Sequence, residues 1–578
     1  MRMKAVACLA LLIPLAVALP ATAQGNRAGP AATPAASQSS GPALYLAGNA
    51  AVSDGRFDLA LDYFSRAADL ASGDARDSLR ELAFESAVRS GNIPRAAQFA
   101  PQAESSAQVT RQLGQLVVAV DAMASGDARK SNTILTGNGV GQPFRALALM
   151  LQPWSAVAAG QKDPAIPEPP ARSDPITRMY AMYNRALLLE FTGKTDQVED
   201  IYKDLLVRGP DFLDFQYSLG EFLERQHRAP DAVKLYDTIL EQNPNDVRAT
   251  QARERARKRR PTVPPALTAN QGAAQALLAT GKINLAQNDT DGAITCFWLA
   301  LRLDERRTEA LFLAASVEAG AGSTEAARTH FARIPKDAPE YIDARIGIAE
   351  SWMADHDKDR ALAAARETVS KSPRDLVAKS SLAGFLSISG KSSEAVNLYS
   401  QVIRARGAEA SWSLYYARAM SYNEVNEWKS AERDLNKALE LSPEQPEVMN
   451  YLGYMWADRG ERLPEALALL QKAARARPRI GAIIDSLGWV YFRMGDLPKA
   501  IENLEVAVVL DAADPSVNDH LGDAYFSAGR KLEAVYQWQR VLTLHPEDKL
   551  KASVQAKINS HQGAETVASA SEPAPATP

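Results

Sequence analysis

The side chains that most often carry out chemistry in enzymes are sparse in this sequence and are not spaced for it. The chain of 578 residues has six histidines, and no two of them are separated as a helical pair of zinc ligands would be. Neither a G-x-x-x-x-G-K-[ST] phosphate loop nor a G-x-S-x-G nucleophile turn occurs. Asp289 and Asp291 resemble part of a calcium loop, but Gln287 and Trp298 stand at two of its ligand positions. The sequence therefore predicts no catalytic, cofactor or metal site.

A repeat of about 34 residues favours binding over catalysis. Leu487-Gly488-x-x-Tyr491 recurs as Leu521-Gly522-x-x-Tyr525, which is a shift of 34 residues. A column of alanines keeps nearly the same spacing, and a large side chain stands four residues after most of them. The alanines of this column are Ala293, Ala326, Ala361, Ala395, Ala431, Ala466, Ala500 and Ala534.

Each recurring residue type has a physical reason to recur. Gly488 and Gly522 lack a side chain, so a partner helix can approach closely, and the alanines allow the same from the other side. Glycines such as Gly495 and Gly529 permit the positive φ of a short turn between helices. A proline such as Pro546 cannot continue a helix, so it separates one unit from the next. The pattern predicts antiparallel helix pairs that stack to bury their apolar faces.

This order of Leu-Gly-x-x-Tyr, Ala-x-x-x-aromatic and Pro resembles the tetratricopeptide repeat (TPR) family. The resemblance is strong over 412–548, moderate over 176–246 and 270–410, and weaker over 43–135. It implies an all-α fold, a TPR α-solenoid in which antiparallel helix pairs form a right-handed superhelix. In that family the first helix of each pair lines a concave groove that binds proteins.

Two proline-rich interruptions divide the predicted array. Four prolines stand between Pro164 and Pro170, and a second group runs from Pro261 to Pro265. Both are predicted as joints that could act as hinges. The predicted organisation is a signal peptide (1–23), a disordered linker (24–42), a divergent N-terminal TPR-like array (43–159), a Pro-rich linker (160–175), a TPR pair with a basic helix extension (176–260), a Pro-rich joint (261–269), a C-terminal TPR array (270–560) and a disordered tail (561–578).

The first residues read as an export signal. Arg2 and Lys4 precede an apolar run, and Ala21-Thr22-Ala23 is a small-x-small cleavage site, so the mature chain is predicted to begin at Gln24. The alternative is a retained N-terminal anchor. Cleavage predicts an exported protein, which in a cell with two membranes lies in the periplasm, with peripheral association at the outer membrane left open.

Charge and cysteine content narrow the partners only slightly. The chain has 65 Lys and Arg against 69 Asp and Glu, which argues against general nucleic-acid binding. The basic run Arg253–Arg260 is either a solvated helix end or a peripheral contact for anionic lipid or an acidic partner. Cys296 is the one cysteine left after cleavage, so no intramolecular disulfide is predicted, and a buried structural thiol is favoured over a reactive one.

The TPR resemblance also implies which side chains face the groove, because they flank the Leu-Gly core of each first helix. Large aromatics away from the core are candidate hot spots for a partner, and the alternative is that they pack on the neighbouring repeat. The lysines of the clamp that grips chaperone tails are missing here, so the groove is predicted to be aromatic and mildly acidic. The candidate partner-binding residues are Tyr416, Asn450, Tyr454, Asp485, Trp489, Phe492, Arg493, Asp519, Asp523 and Phe526.

The implied function is a non-catalytic scaffold or adaptor of the bacterial cell envelope. The C-terminal part resembles bacterial envelope TPR adaptor proteins, which implies an envelope protease or cell-wall enzyme as the partner. Those adaptors carry a lipidated N-terminal cysteine, and this chain does not. The alternative is a structural subunit of an envelope export or polysaccharide assembly machine. A hidden enzyme in 100–175 is disfavoured because that segment is too short for an independent catalytic core.

Overall fold

The computed structural model describes residues 40–102, 106–137, 139–168, 174–210, 212–243, 246–258 and 263–569, with side chains as far as residue 560. These residues form 29 α-helices and no strand, which confirms the predicted all-α class. The predicted signal peptide, residues 24–39 of the linker and residues 570–578 of the tail lie outside the described part. No helix in the described part is long and apolar enough to cross a membrane.

The helices divide into two compact units, with the boundary between Pro373 and Arg374. That boundary falls inside the range 270–560 that the sequence predicts as one array, and both Pro-rich joints lie within unit 1. The helices of unit 1 are α1 (Gly41–Ser53), α2 (Phe57–Leu70), α3 (Gly73–Arg89), α4 (Ile93–Phe99), α5 (Gln108–Ala124), α6 (Ala128–Thr136), α7 (Arg145–Ala158), α8 (Pro175–Phe191), α9 (Val198–Arg208), α10 (Leu213–Arg225), α11 (Ala229–Gln242), α12 (Val247–Arg257), α13 (Ala269–Ala286), α14 (Thr290–Leu303), α15 (Thr308–Gly320), α16 (Thr324–Ala332), α17 (Tyr341–Ala354) and α18 (Lys358–Lys371).

Unit 2 continues the regular alternation of first and second helices and closes with one further helix. Its members are α19 (Leu376–Ile388), α20 (Ser392–Arg406), α21 (Trp412–Glu424), α22 (Trp428–Leu441), α23 (Pro446–Arg459), α24 (Leu463–Ala476), α25 (Gly481–Arg493), α26 (Leu497–Leu510), α27 (Pro515–Ser527), α28 (Lys531–Thr543) and α29 (Asp548–Ser569).

The predicted pairing of a small residue with a large one holds each helix pair together. A Cβ added to Gly488 would lie 2.6 Å from the side chain of Leu504, and one added to Gly522 would lie 2.5 Å from Trp538. Gly48 stands against Phe64 in the same way, at 2.5 Å, so the divergent N-terminal array uses the same packing. The glycine therefore sets how closely the two helices of a pair approach.

One member of the alanine column was predicted in the wrong register. Ala326 is partly exposed, whereas Ala327 is fully buried and Phe331, four residues on, is also buried. The ring of Phe331 packs against Gly347, in the space that a Cβ on that residue would need. The shift to Ala327 restores a spacing of 34 residues to Ala293 and to Ala361.

The turns between helices need positive φ, as predicted, but glycine is not the only residue that supplies it. Gly495 and Gly529 have φ of 83° and 81°. His227, Asn288 and His356 adopt φ of 60–62° in turns of the same kind. Asn is enriched in this region because its short side chain can bond locally, and His is tolerated there more often than most residues.

Helix α14 is the centre of unit 1, because helices from distant parts of the chain cover it. Its side chains from Ile294 to Leu303 are almost all buried, including Cys296, and burial raises the pKa of that thiol to about 12. A helix that is apolar on all sides must be covered on all sides. The indole of Trp298 lies against Gly91 at the end of α3, and Arg302 donates to Asp121 of α5 over 2.8 Å. Unit 1 is therefore built around α14 rather than as a simple succession of neighbours.

Trp154 joins the helices on either side of the first Pro-rich segment. Its side chain is fully buried, and its indole N–H donates to Asn184 Oδ1 of α8 over 2.8 Å. A Cβ on Gly272 of α13 would lie 2.3 Å from the same indole. One side chain thus contacts α8 and α13 from α7, so the segments flanking residues 160–175 pack together within one unit.

A partly buried ion cluster joins helices on either side of the second joint. Lys282 of α13 contacts Asp214 of α10 at 2.8 Å, and it also contacts Glu309 of α15. Burial by itself would raise the pKa of Asp214, but the Lys282 ammonium more than offsets this and the pKa lies below its ordinary value. Burial lowers and the two carboxylates raise the pKa of Lys282, and the carboxylates prevail.

The three described arginines of the predicted basic run pair with carboxylates of neighbouring helices. Arg255 pairs with the buried carboxylate of Glu224 at 2.6 Å, and Arg257 pairs with Asp237 at 2.8 Å. Arg253 contacts the same Asp237 at 3.2 Å. These arginines therefore anchor α12 to α10 and α11, whereas Arg259 and Arg260 lie outside the described residues.

Candidate functional site

The predicted partner-binding residues lie on the first helices of unit 2, which sit side by side. Tyr416 of α21 meets Tyr451 of α23 edge-on at 5.9 Å between ring centroids. Tyr454 of α23 lies 6.3 Å from the imidazole of His520 on α27. The rings of successive first helices therefore form one row, which we call the aromatic row: Tyr416, Tyr451, Tyr454, Trp489, Phe492 and His520.

The members of the aromatic row are not equally accessible. Tyr416, Tyr454 and Phe492 are half-buried, and so are Phe526 and the polar residue Asn450. Trp489 is only 9% exposed and belongs to the apolar core of unit 2. Trp489 was predicted as a partner-binding side chain, with packing on the neighbouring repeat as the alternative, and its burial against His520 favours that alternative.

Two rings stack on Trp489: one comes from the next turn of α25 and the other from the next repeat. Phe492 stacks on it at 4.9 Å, and the imidazole of His520 stacks on it at 4.1 Å. The indole N–H of Trp489 has no hydrogen-bond partner among the described residues, and neither has the buried side-chain oxygen of Asn450. The sequence showed Trp489 away from the Leu-Gly core, but it did not show that His520 would cover it.

His520 also contacts one of the predicted acidic residues. Its Nδ1 lies 2.9 Å from Asp485 Oδ2, and both side chains are largely buried. Burial by itself would lower the pKa of His520, but Asp485, with smaller effects from Asp519 and Asp523, raises it above its ordinary value. The contact with Asp485 therefore favours the charged form of the imidazole.

The other two predicted acidic residues hold a lysine of the last helix. Lys557 of α29 places its Nζ 2.8 Å from Asp519 Oδ1 and 2.6 Å from Asp523 Oδ1. The indole N–H of Trp538 donates to Asp523 over 3.1 Å. Burial and the neighbouring Asp523 raise the pKa of Asp519, although Lys557 opposes this.

The three aspartates of the predicted mildly acidic groove are all paired inside the free chain. Arg493 is also engaged, since it donates to the backbone carbonyl of Asp458. The uncharged members of the predicted set that are not fully buried are half-buried rings and Asn450. Among the described residues, no group of His, Cys, Asp and Glu is arranged to hold a metal ion.

The repeat architecture and the sequence comparisons agree on the class of fold. The family model for the tetratricopeptide repeat matches residues 183–247, 278–342, 416–479 and 486–549. The chain therefore carries tetratricopeptide repeats, and its helix pairs form a TPR α-solenoid. The last two matches contain the whole aromatic row.

The chain is similar to a curated TPR repeat-containing protein of Pseudomonas aeruginosa, with 36% identity over 111 residues. The match covers 19% of this chain and 19% of that relative. Among solved structures, the Cut9–Hcn1 hetero-tetramer of the APC/C aligns over 90% of this chain and 96% of its own, with 14% identity and a TM-score of 0.38. A tetratricopeptide repeat protein from Parabacteroides merdae aligns over 49% of this chain and 96% of its own, with 14% identity and a TM-score of 0.33.

Proposed function

We propose that this chain is a non-catalytic scaffold of the bacterial cell envelope that binds partner proteins along the aromatic row of unit 2. The observation that carries the proposal is the run of half-buried rings on α21, α23 and α25, which offers apolar area outside the core. Aromatic side chains dominate the energetics of protein interfaces, because they bury much area with little loss of conformational freedom. An envelope protease or a cell-wall enzyme is the proposed kind of partner.

The half-buried rings allow a sharper test than Trp489 would. Replacing Trp489 would leave a cavity in the core, whereas Tyr454 and Phe492 are partly open to solvent. We expect Tyr454→Ala/Phe492→Ala to lower the recovery of bound proteins from periplasmic extract at least tenfold, since a hot-spot side chain contributes about 2 kcal/mol or more. The measurement is a quantitative pull-down with the full chain as bait, read by mass spectrometry.

The matched control changes two exposed side chains on a second helix. Leu532 and Tyr536 on α28 are 67% and 68% exposed, so Leu532→Ala/Tyr536→Ala removes comparable apolar area away from the first helices. The control should recover the same proteins as the unmodified chain. Equal recovery by all three baits would remove the support for a partner on the aromatic row.

The envelope location rests on residues 1–23, which the structure does not describe. We expect the protein isolated from its own cells to begin at Gln24 and to be released with the periplasmic fraction. N-terminal sequencing and fractionation measure both. A chain that keeps Met1 and stays in the cytoplasm would contradict the envelope part of the proposal and leave the aromatic row untouched.

A further inference from the structure

The end of unit 2 holds a lysine in an arrangement typical of ammonium recognition. Asp519 and Asp523 stand one turn apart on α27, and Lys557 Nζ lies within 2.8 Å of both carboxylates. The same ammonium lies 5.7 Å from the centre of the Trp538 indole ring. Two carboxylates and an aromatic ring form a site for a primary amine, because the carboxylates pair its positive charge and the ring face attracts it.

The helix that supplies this lysine is attached along a single narrow stripe. Within the residues whose side chains are described, α29 buries Val554 and Ile558 and partly buries Leu550 and Lys557. Its other side chains from Asp548 to Ser560 are exposed. The attachment of α29 within these residues therefore depends on four side chains, and most of the stability of a helix in a protein comes from such packing.

The two aspartates that Lys557 contacts stand at positions predicted to face a partner. Asp519 and Asp523 stand 34 residues after Asp485 and Trp489, so they are the last copy of the positions that the TPR resemblance assigns to a partner. In the preceding copy the carboxylate is paired with His520. In the last copy the cation comes from Lys557 of α29.

We infer that the end of unit 2 is a binding site for a lysine-bearing amphipathic helix of a partner protein, and that α29 closes this site in the free chain. The spacing of Val554, Lys557 and Ile558 indicates the pattern that such a helix carries. It has an aliphatic residue, a lysine three residues later, and a second aliphatic residue directly after the lysine. The inference rests on the proposed function, which makes the partner a protein. It adds that the partner presents such a helix and that this helix competes with α29 for the site.

The test uses a fluorescent peptide with the sequence of residues 548–560 as the probe and the full chain as the receptor. Val554→Asp/Ile558→Asp undocks α29 by placing charges against the core of the last repeat. We expect this variant to bind the peptide at least about tenfold more tightly than the unmodified chain, since apparent affinity falls with the fraction of open sites. Fluorescence anisotropy measures both affinities, and circular dichroism checks that the helices are retained.

Two further measurements keep the inference falsifiable. Adding Asp519→Asn/Asp523→Asn to the undocked variant should abolish peptide binding, and a Lys557→Met peptide should bind more weakly to the undocked variant. Equal affinity for the unmodified and undocked chains, or binding that does not need the two aspartates, would overturn the inference. If the undocked variant lost its helices, hydrogen exchange of the unmodified chain decides: α29 should exchange faster than α27 and α28, and equal protection would overturn it. The probe comes from this chain, so a failure here would not bear on partner capture by the aromatic row.

Discussion

Replacing Trp154 with alanine is expected to lower the free energy of unfolding of unit 1 by about 3–5 kcal/mol, the usual loss for a large aromatic removed from a packed core. The indole is fully buried against Gly272 and bonded to Asn184, so the change removes apolar contacts and leaves the amide oxygen of Asn184 without its donor. Because the ring touches α7, α8 and α13 together, we expect faster hydrogen exchange in all three helices.

Urea denaturation and hydrogen exchange by mass spectrometry measure these effects. Trp154→Phe keeps a ring in the site but removes the donor and part of the buried area, so we expect a smaller loss of about 1–3 kcal/mol. Trp428→Ala in unit 2 is the control, since Trp428 is partly exposed and lies beneath Arg459. A loss confined to α7, or one no larger than the control's, would show that Trp154 does not join the three helices.

Replacing Lys282 with methionine is expected to cost about 2–4 kcal/mol at pH 7, because it leaves the carboxylates of Asp214 and Glu309 partly buried without a cation. The pKa of Asp214 lies below its ordinary value, so its contribution is present above the unfolded pKa and is lost as the pH falls through the folded pKa. The raised pKa of Lys282 gives a contribution that is present below its unfolded pKa and is lost at strongly alkaline pH.

The pH dependence of the Lys282→Met variant should have the opposite sign. Without the ammonium, burial raises the pKa of Asp214, so protonation becomes stabilising and the variant should gain stability between pH 7 and pH 5. Adding Asp214→Asn/Glu309→Gln should restore part of the loss. Lys203→Met, which breaks an exposed pair with Glu199, should change stability by less than about 1 kcal/mol. A variant that loses stability steadily between pH 7 and pH 5 would contradict this account.

The helix pairs of unit 2 could be predicted closely from the sequence, because their packing is local. Gly488 meets Leu504 and Gly522 meets Trp538 within one repeat, so the spacing alone indicates the contact. One alanine was still misplaced by one residue, because two alanines stand side by side at 326 and 327; burial and the exact spacing of 34 residues both select Ala327. Histidine and asparagine at positive φ were not predicted as a general substitute for the turn glycine.

The chemistry of the candidate site was harder to predict, because it depends on pairs of side chains from different repeats. Asp485 and His520 are 35 residues apart, and Asp519 and Lys557 are 38 apart. The sequence placed the aspartates on the first helices of their repeats, but no pattern within one repeat shows which cation reaches them. The burial of α14 at the centre of unit 1 could have been predicted from the sequence. Residues 293–303 lack a polar face, and such a helix must be covered on all sides.

The covering of α14 has a consequence for the order in which the chain can fold. Asp121 and Arg302 are 181 residues apart, although most contacts of a helical repeat protein join neighbours. Closing so long a loop is slow and must precede the contacts that reward it. The first seven helices are made long before α14, so in a nascent chain the surfaces of α3 and α5 that α14 covers stay exposed until residue 303 has been made. Folding of unit 1 should therefore be the slow and aggregation-prone step, while unit 2 assembles from neighbour to neighbour.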